Sequence, residues 1–222
     1  MRSPFSALYL LVFIFIIGML MVFVQINILT IAFDKLGLSS QSAFLLLFSS
    51  LFGSAINLPL FTITAERPAE ENMPKALRGL LQHSMREFKG KTLIAMNVGG
   101  CLIPLFFSVY LIRHNPLHFF QIIIAIALVA LICNKASRPI PGLGIGMPIF
   151  IAPITAAVIA MIIGEDSSAP LAYISGTLGV LIGADLMRLN DIRKMGTPIA
   201  SIGGAGTFDG IFLTGIVAAL LT

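Results

Sequence analysis

The sequence predicts an all-α fold, a polytopic transmembrane helix bundle of about seven spans with kinked or broken members, and three observations carry that prediction. First, 57% of the 222 residues are hydrophobic, only 11% are charged and the mean hydropathy is +0.99, a composition outside the range of water-soluble domains. Second, the apolar residues gather into stretches of about 20, the length that crosses a bilayer as a helix. Third, Lys and Arg segregate into alternate connectors, as positive-inside topology requires. The connectors leave no room for a separate soluble domain, so residues 1–222 are expected to form one integral membrane domain.

The candidate spans, in order, run from about Phe5 to Ile28, Ala43 to Ile63, Thr92 to Ile112, Leu117 to Ile132, Gly142 to Ile163, Pro170 to Met187 and Ile199 to Leu221. The first has a longer apolar run than a secretory signal and no small-x-small cleavage site after it, so it reads as a retained helix. Of the 14 basic residues, all but Lys35 and Arg113 fall on one side of this seven-span arrangement. That bias puts the N-terminus in the cytoplasm and the C-terminus outside, in a multi-pass protein of the cell membrane.

The longest connector, residues 64–91, carries an expected amphipathic helix. Met73, Leu77, Leu80, Leu81, Met85 and Phe88 share one helical face, with Asn72 as N-cap and Pro74 in the first turn. Lys75, Arg78, Arg86 and Lys89 occupy the other faces, so residues 72–91 are expected to lie on the anionic cytoplasmic leaflet.

Polar and helix-breaking residues interrupt several spans. Asn57 precedes Pro59, Asn97 precedes Gly99, Gly100 and Pro104, and Pro148 and Pro153 bracket a run in the fifth span. Each releases backbone groups that lipid cannot satisfy, so these helices are expected to kink or break. Gly176, Gly179 and Gly183, three and four residues apart, fit close helix packing.

Two carboxylates at membrane depth are the sharpest functional clue, since an ionisable residue there costs at least ~2.5 kcal/mol on insertion scales and marks functional sites. Asp185 lies near the cytoplasmic end of the inward-running sixth span. Asp209 lies in GGAGTFDG, ten residues into the outward-running seventh span if its helix begins near Ile199, or in the first turn if GGAG is a loop and the helix begins at Phe208. In a structural role, Asp185 would pair with Arg188 one turn on, and Asp209-Gly210 would cap a helix start. In a chemical role, two aspartates about 3 Å apart share a proton, so that one activates water while the other protonates the substrate carbonyl or leaving amine. Such a pair cleaves a peptide bond without a metal.

Gly206-Thr207-Phe208-Asp209, followed by Gly210-Ile211-Phe212-Leu213, resembles a loosened form of the motif of the GxGD intramembrane aspartyl proteases, presenilin and signal peptide peptidase. Their catalytic aspartates lie on helices six and seven, running in the directions derived above. The resemblance implies Asp185 and Asp209 as catalytic residues and a membrane peptide as substrate. Phe208 stands where those proteases have Gly, and Ala184 where they have Tyr. Pro170-Leu171-Ala172 matches neither the order nor the place of their Pro-Ala-Leu motif. A broader resemblance rests on NVGGCLIPLFFSVYLI, APLAYISGTLGVLIGADLMRL and ASIGGAGTFDGIFLTGIVAALL, which together are similar to the uncharacterised prokaryotic membrane family catalogued as domain of unknown function 1614. It implies a membrane family and no activity.

In the hydrolase, the glycine-rich run Gly203 to Gly206 would be a flexible approach for substrate. Two other functions compete. In an ion-coupled or small-molecule transporter, Asn57, Asn97 and the broken helices would join the aspartates around one cavity, and Gly203, Gly204, Gly206 and Thr207 are candidate substrate- or ion-binding residues. In a non-catalytic scaffold, the same residues would serve packing. No cofactor is expected: there is no P-loop, and GLGIGM opens a span rather than following a strand. No metal is expected, because His114 and His118 are separated by Pro116 and Cys101 and Cys133 read as small buried hydrophobes. The basic residues follow topology, so nucleic acid is not an expected partner, and no oligomeric state is implied.

Overall fold

The computed structural model describes residues 7–25, 28–66, 88, 90–140, 144–204 and 210–222. The expected amphipathic helix at 72–91 therefore falls mostly outside the described residues, as do Gly206, Thr207 and Asp209.

The chain is mostly helical, with a minority of strand that the all-α expectation lacks. Helix α1 is Ala7–Gln25, α2 is Ile28–Lys35 and α3 is Ser40–Gly53, the last started by Ser39, whose hydroxyl accepts a bond from the Ser42 N–H at 3.2 Å. Strands β1 (Asn57–Thr64) and β2 (Lys91–Asn97) follow, then a π turn over Val98–Leu102 leading into α4 (Ile103–His114). Helix α5 (Phe119–Ala136) begins with a capping box in which the Gln121 side chain reaches back to the His118 N–H. A hairpin of β3 (Arg138–Ile140) and β4 (Gly144–Gly146) leads to α6 (Ile151–Ile163), and α7 (Ser168–Val180) follows a tight turn at Glu165–Ser167. After a short helix, α8 (Leu189–Ile192), strand β5 (Ile199–Ile202) precedes α9 (Gly210–Leu221).

Helix α7 is the centre. It is almost wholly buried and packs against α4, α5, α6 and α9. The small-residue stripe makes this possible. A Cβ on Gly179 would stand 2.5 Å from the Val129 side chain, and one on Gly183 would stand 2.2 Å from the Ala130 carbonyl oxygen. Two helical stretches, Phe119–Ala136 and Glu165–Ile192, are long and apolar enough to cross a membrane. Around them the outer surface is apolar: Phe106, Phe119, Phe120, Ile149 and Ile162 expose 68 to 81% of their area, more than a soluble monomer gathers without a partner or a membrane.

Four of the expected helical spans are composite. Ala43 to Ile63 is α3 joined to β1, Thr92 to Ile112 is β2 joined to the π turn and α4, and Ile199 to Leu221 contains β5 and α9. The fifth, Gly142 to Ile163, includes β4 before α6. The breaks fall where Asn57, Asn97-x-Gly99-Gly100 and Gly203-Gly204 release the helical backbone. Sheet pairing then takes up the freed N–H and C=O groups. β1, β2 and β5 form a 3-stranded sheet in that order. β1 and β2 are antiparallel from Asn57 opposite Asn97 to Thr64 opposite Lys91, with a bulge at Pro59, which edge position tolerates. β2 and β5 are parallel, Leu93 opposite Ile199 through Met96 opposite Ile202.

Candidate functional site

Helix α7 loosens as it approaches the sheet. After Val180 it widens into a π turn, Leu181–Asp185, and then tightens into a single 3₁₀ turn, Leu186–Arg188. Such a turn costs helical hydrogen bonds and commonly marks a functional site. Two residues hold this one open. Asn134, near the end of α5, donates from Nδ2 to the Gly183 carbonyl at 3.0 Å. The Arg188 guanidinium donates to the carbonyls of Asn134 and Ser137 and pairs with Asp191 at 2.9 Å, closing the C-terminal end of α5.

Arg188 is therefore not the partner of Asp185. Asp185 accepts instead from the backbone N–H of Gly203, 2.8 Å from Oδ2. Its other oxygen meets no donor among the described residues. Gly203 has φ +83°, and a Cβ there would lie 2.7 Å from Cys101 N and Gly100 C, so only glycine fits where the end of β5 rests on the turn after β2.

Beside this contact lies a cavity of about 600 Å³. Asp185 forms part of its wall, with Val180 and Ala184 from the same helix, Phe150 and Pro153 from the start of α6, and residues 199–202 of β5. Gly204 and Ile211 also line it, so the chain touches the cavity on both sides of the segment that contains Asp209. Ile149, Phe150 and Ile199 line the cavity and expose 81, 71 and 53% of their surface, which makes its mouth apolar.

The asparagines sit elsewhere. Asn97, fully buried, caps the π turn through Oδ1, which accepts from the Gly100 N–H at 2.8 Å. Its Nδ2 donates to the Ser54 carbonyl at 2.7 Å and to Asn57 Oδ1 at 3.1 Å. Asn57 Oδ1 also accepts from Ser201 Oγ. Neither asparagine lines the cavity. Ser201 does, and it joins the two neighbourhoods through that bond.

Sequence reasoning passed over Asn134, Arg188 as a clamp on α5, and Ser201. Asn134 carried a signal, an amide directly after the apolar run ending Ile132-Cys133. Ser201 became visible only with the β2–β5 register. Among the described residues no three His, Cys, Asp or Glu side chains come together.

No curated protein and no solved structure matches the chain. The family model described as protein of unknown function (DUF1614) matches residues 51–221, from the last turn of α3 to the last turn of α9. That stretch contains every residue of the cavity wall, the Asp185–Gly203 contact and the asparagine cluster, and the chain belongs to this family.

Proposed function

We propose that the protein is a multi-pass membrane hydrolase of the aspartyl type, cleaving membrane peptides with Asp185 and Asp209. The observation that carries this reading is the position of Asp185 in the wall of a cavity that Gly204 and Ile211, on either side of Asp209 in the chain, also line. The Asp185–Gly203 bond ties the two carboxylate-bearing segments together at the same place.

In this mechanism the two carboxyls hold one proton between them. The ionised one takes a proton from water as the water oxygen bonds to the peptide carbonyl carbon, and the protonated one donates to the carbonyl oxygen. Collapse of the tetrahedral intermediate returns the proton to the amine as the C–N bond breaks. An apolar mouth at Ile149, Phe150 and Ile199 suits a substrate arriving from the bilayer.

The topology that accompanies this reading has about seven membrane passes, four of them part strand, with the N-terminus cytoplasmic and the C-terminus outside. In support, Lys135 in the last turn of α5 and Arg138, Arg188, Arg193 and Lys194 beyond the ends of α5 and α7 gather at the sheet end of the molecule, while Lys35 bonds the Leu220 carbonyl at the opposite end. The basic segment 72–91 then rests on the anionic cytoplasmic leaflet.

The test is cleavage of a reporter membrane peptide by reconstituted protein. Asp185→Asn and Asp209→Asn should each reduce turnover at least about a thousandfold while the thermal transition in detergent stays in place. Undiminished cleavage by either variant rules the mechanism out.

A further inference from the structure

The second large cavity, about 570 Å³, lies at the other end of the molecule, between α2 and α3, and belongs to none of the machinery above. Its construction is graded. Phe33, Ala43 and Leu47 form a buried apolar floor, whereas Asp34, Ser40 and Gln41 stand exposed on the rim at the α2–α3 turn. On α2, Thr30, Phe33 and Asp34 are three and four residues apart and so face the cavity together.

The rim carries one uncompensated charge. Lys35, the neighbouring cation, is turned away: its Nζ donates to the Leu220 carbonyl at 3.2 Å, capping the C-terminal end of α9. Asp34 has no ion pair among the described residues. An apolar cleft whose only charge among the described residues is a carboxylate at the mouth complements an amphiphile with hydrocarbon chains and a cationic head.

We propose that the α2–α3 cleft is a lipid site selective for a phospholipid with a primary-amine headgroup, its ammonium on Asp34 and an acyl chain against Phe33 and Leu47. A primary ammonium brings three hydrogen-bond donors to the carboxylate, which a trimethylated headgroup lacks, and an anionic glycerol headgroup is repelled. The proposal needs the membrane reading but not the hydrolase one.

Native mass spectrometry tests it. The full chain is released from vesicles holding equal amounts of phosphatidylethanolamine, phosphatidylcholine and phosphatidylglycerol of matched chains, and the retained lipids are counted. Recovery in the membrane fraction tests membrane insertion separately, and Asp185→Asn should leave the lipid count unchanged. The amine lipid should be retained about three- to fivefold over phosphatidylcholine, a ratio suited to one partly exposed ion pair. Asp34→Asn should erase the preference, and Leu47→Trp, which fills the floor, should lower retention of all three. Equal retention by the unaltered protein, or a preference that survives Asp34→Asn, overturns the proposal.

Discussion

The two places where parallel strands β2 and β5 end are built from similar parts and come out differently. Each strand runs into a glycine pair, Gly99-Gly100 or Gly203-Gly204, ahead of a helix, and each has a backbone N–H taken by a side chain, Gly100 by Asn97 and Gly203 by Asp185. At the end of β2 the side chain is a neutral amide, fully buried, with its oxygen and its nitrogen both engaged. At the end of β5 it is a carboxyl with one oxygen bonded and a 600 Å³ cavity alongside. An amide with every group satisfied closes a junction and fixes it. A carboxyl with lone pairs to spare, beside open space, keeps capacity for a ligand.

That contrast can be broken by exchanging the chemistry of the two ends. Asp185→Asn keeps the shape and an oxygen acceptor for Gly203, so stability should move by no more than about 1 kcal/mol, while peptide turnover falls at least about a thousandfold. Asn97→Asp should do the reverse. It sets an acceptor against the Ser54 carbonyl and Asn57 Oδ1 in a buried position, for a loss of about 2–4 kcal/mol. Turnover per folded molecule should stay near the parent value. Thermal denaturation in detergent and turnover normalised to folded protein read both variants. If Asn97→Asp lowers normalised turnover as Asp185→Asn does, the two junctions are one site and the contrast fails.

Gly203→Ala attacks the contact that both junctions share. Its left-handed backbone and the 2.7 Å approach to Cys101 N and Gly100 C leave no space for a methyl group, and a loss of about 2–3 kcal/mol is expected. A thermal transition within a degree of the parent would mean that the end of β5 does not rest on the turn after β2.

How much of this was legible in the chain depends on which physical rule governed each part. Helices α5 and α7 were readable because length and hydropathy suffice for a continuous apolar helix, and the Gly176/Gly179/Gly183 stripe announced its close neighbours. The composite spans were not. A run such as Ala43 to Ile63 passes a hydropathy window whether its second half is helix or strand, because side-chain polarity is the same in both. The breakers at Asn57 and Asn97 are visible and imply kinks, and Gly203 is visible only as part of a flexible glycine-rich run. What decided for strand was the partner: β1, β2 and β5 satisfy one another across as much as a hundred residues, and no local signal records that. The same limit applies at the site. Asp185 stood out as a charge in an apolar run, but the sequence offered it Arg188, three residues away, and the fold gave Arg188 to Asp191 and α5, and Asp185 to Gly203.

The smallest expected effect sharpens the contrast from a third element. Asn134 belongs to neither junction, yet its Nδ2 takes the Gly183 carbonyl inside the π turn that delivers Asp185. Asn134→Leu leaves that carbonyl unpaired, which should lower stability by about 1 kcal/mol. If the π turn is what aims Asp185 at the cavity, turnover should also drop about tenfold through misplacement alone. A structural role predicts the first effect without the second. The two separate in a measurement that does not use hydrolysis: the rate at which a water-soluble reagent labels the thiol of an Asp185→Cys variant, with Asn134 intact or replaced. A changed rate shows that α5 sets the direction of position 185. An unchanged rate, with stability lowered, confines Asn134 to packing and leaves the β5 junction to orient its carboxyl through Gly203 alone.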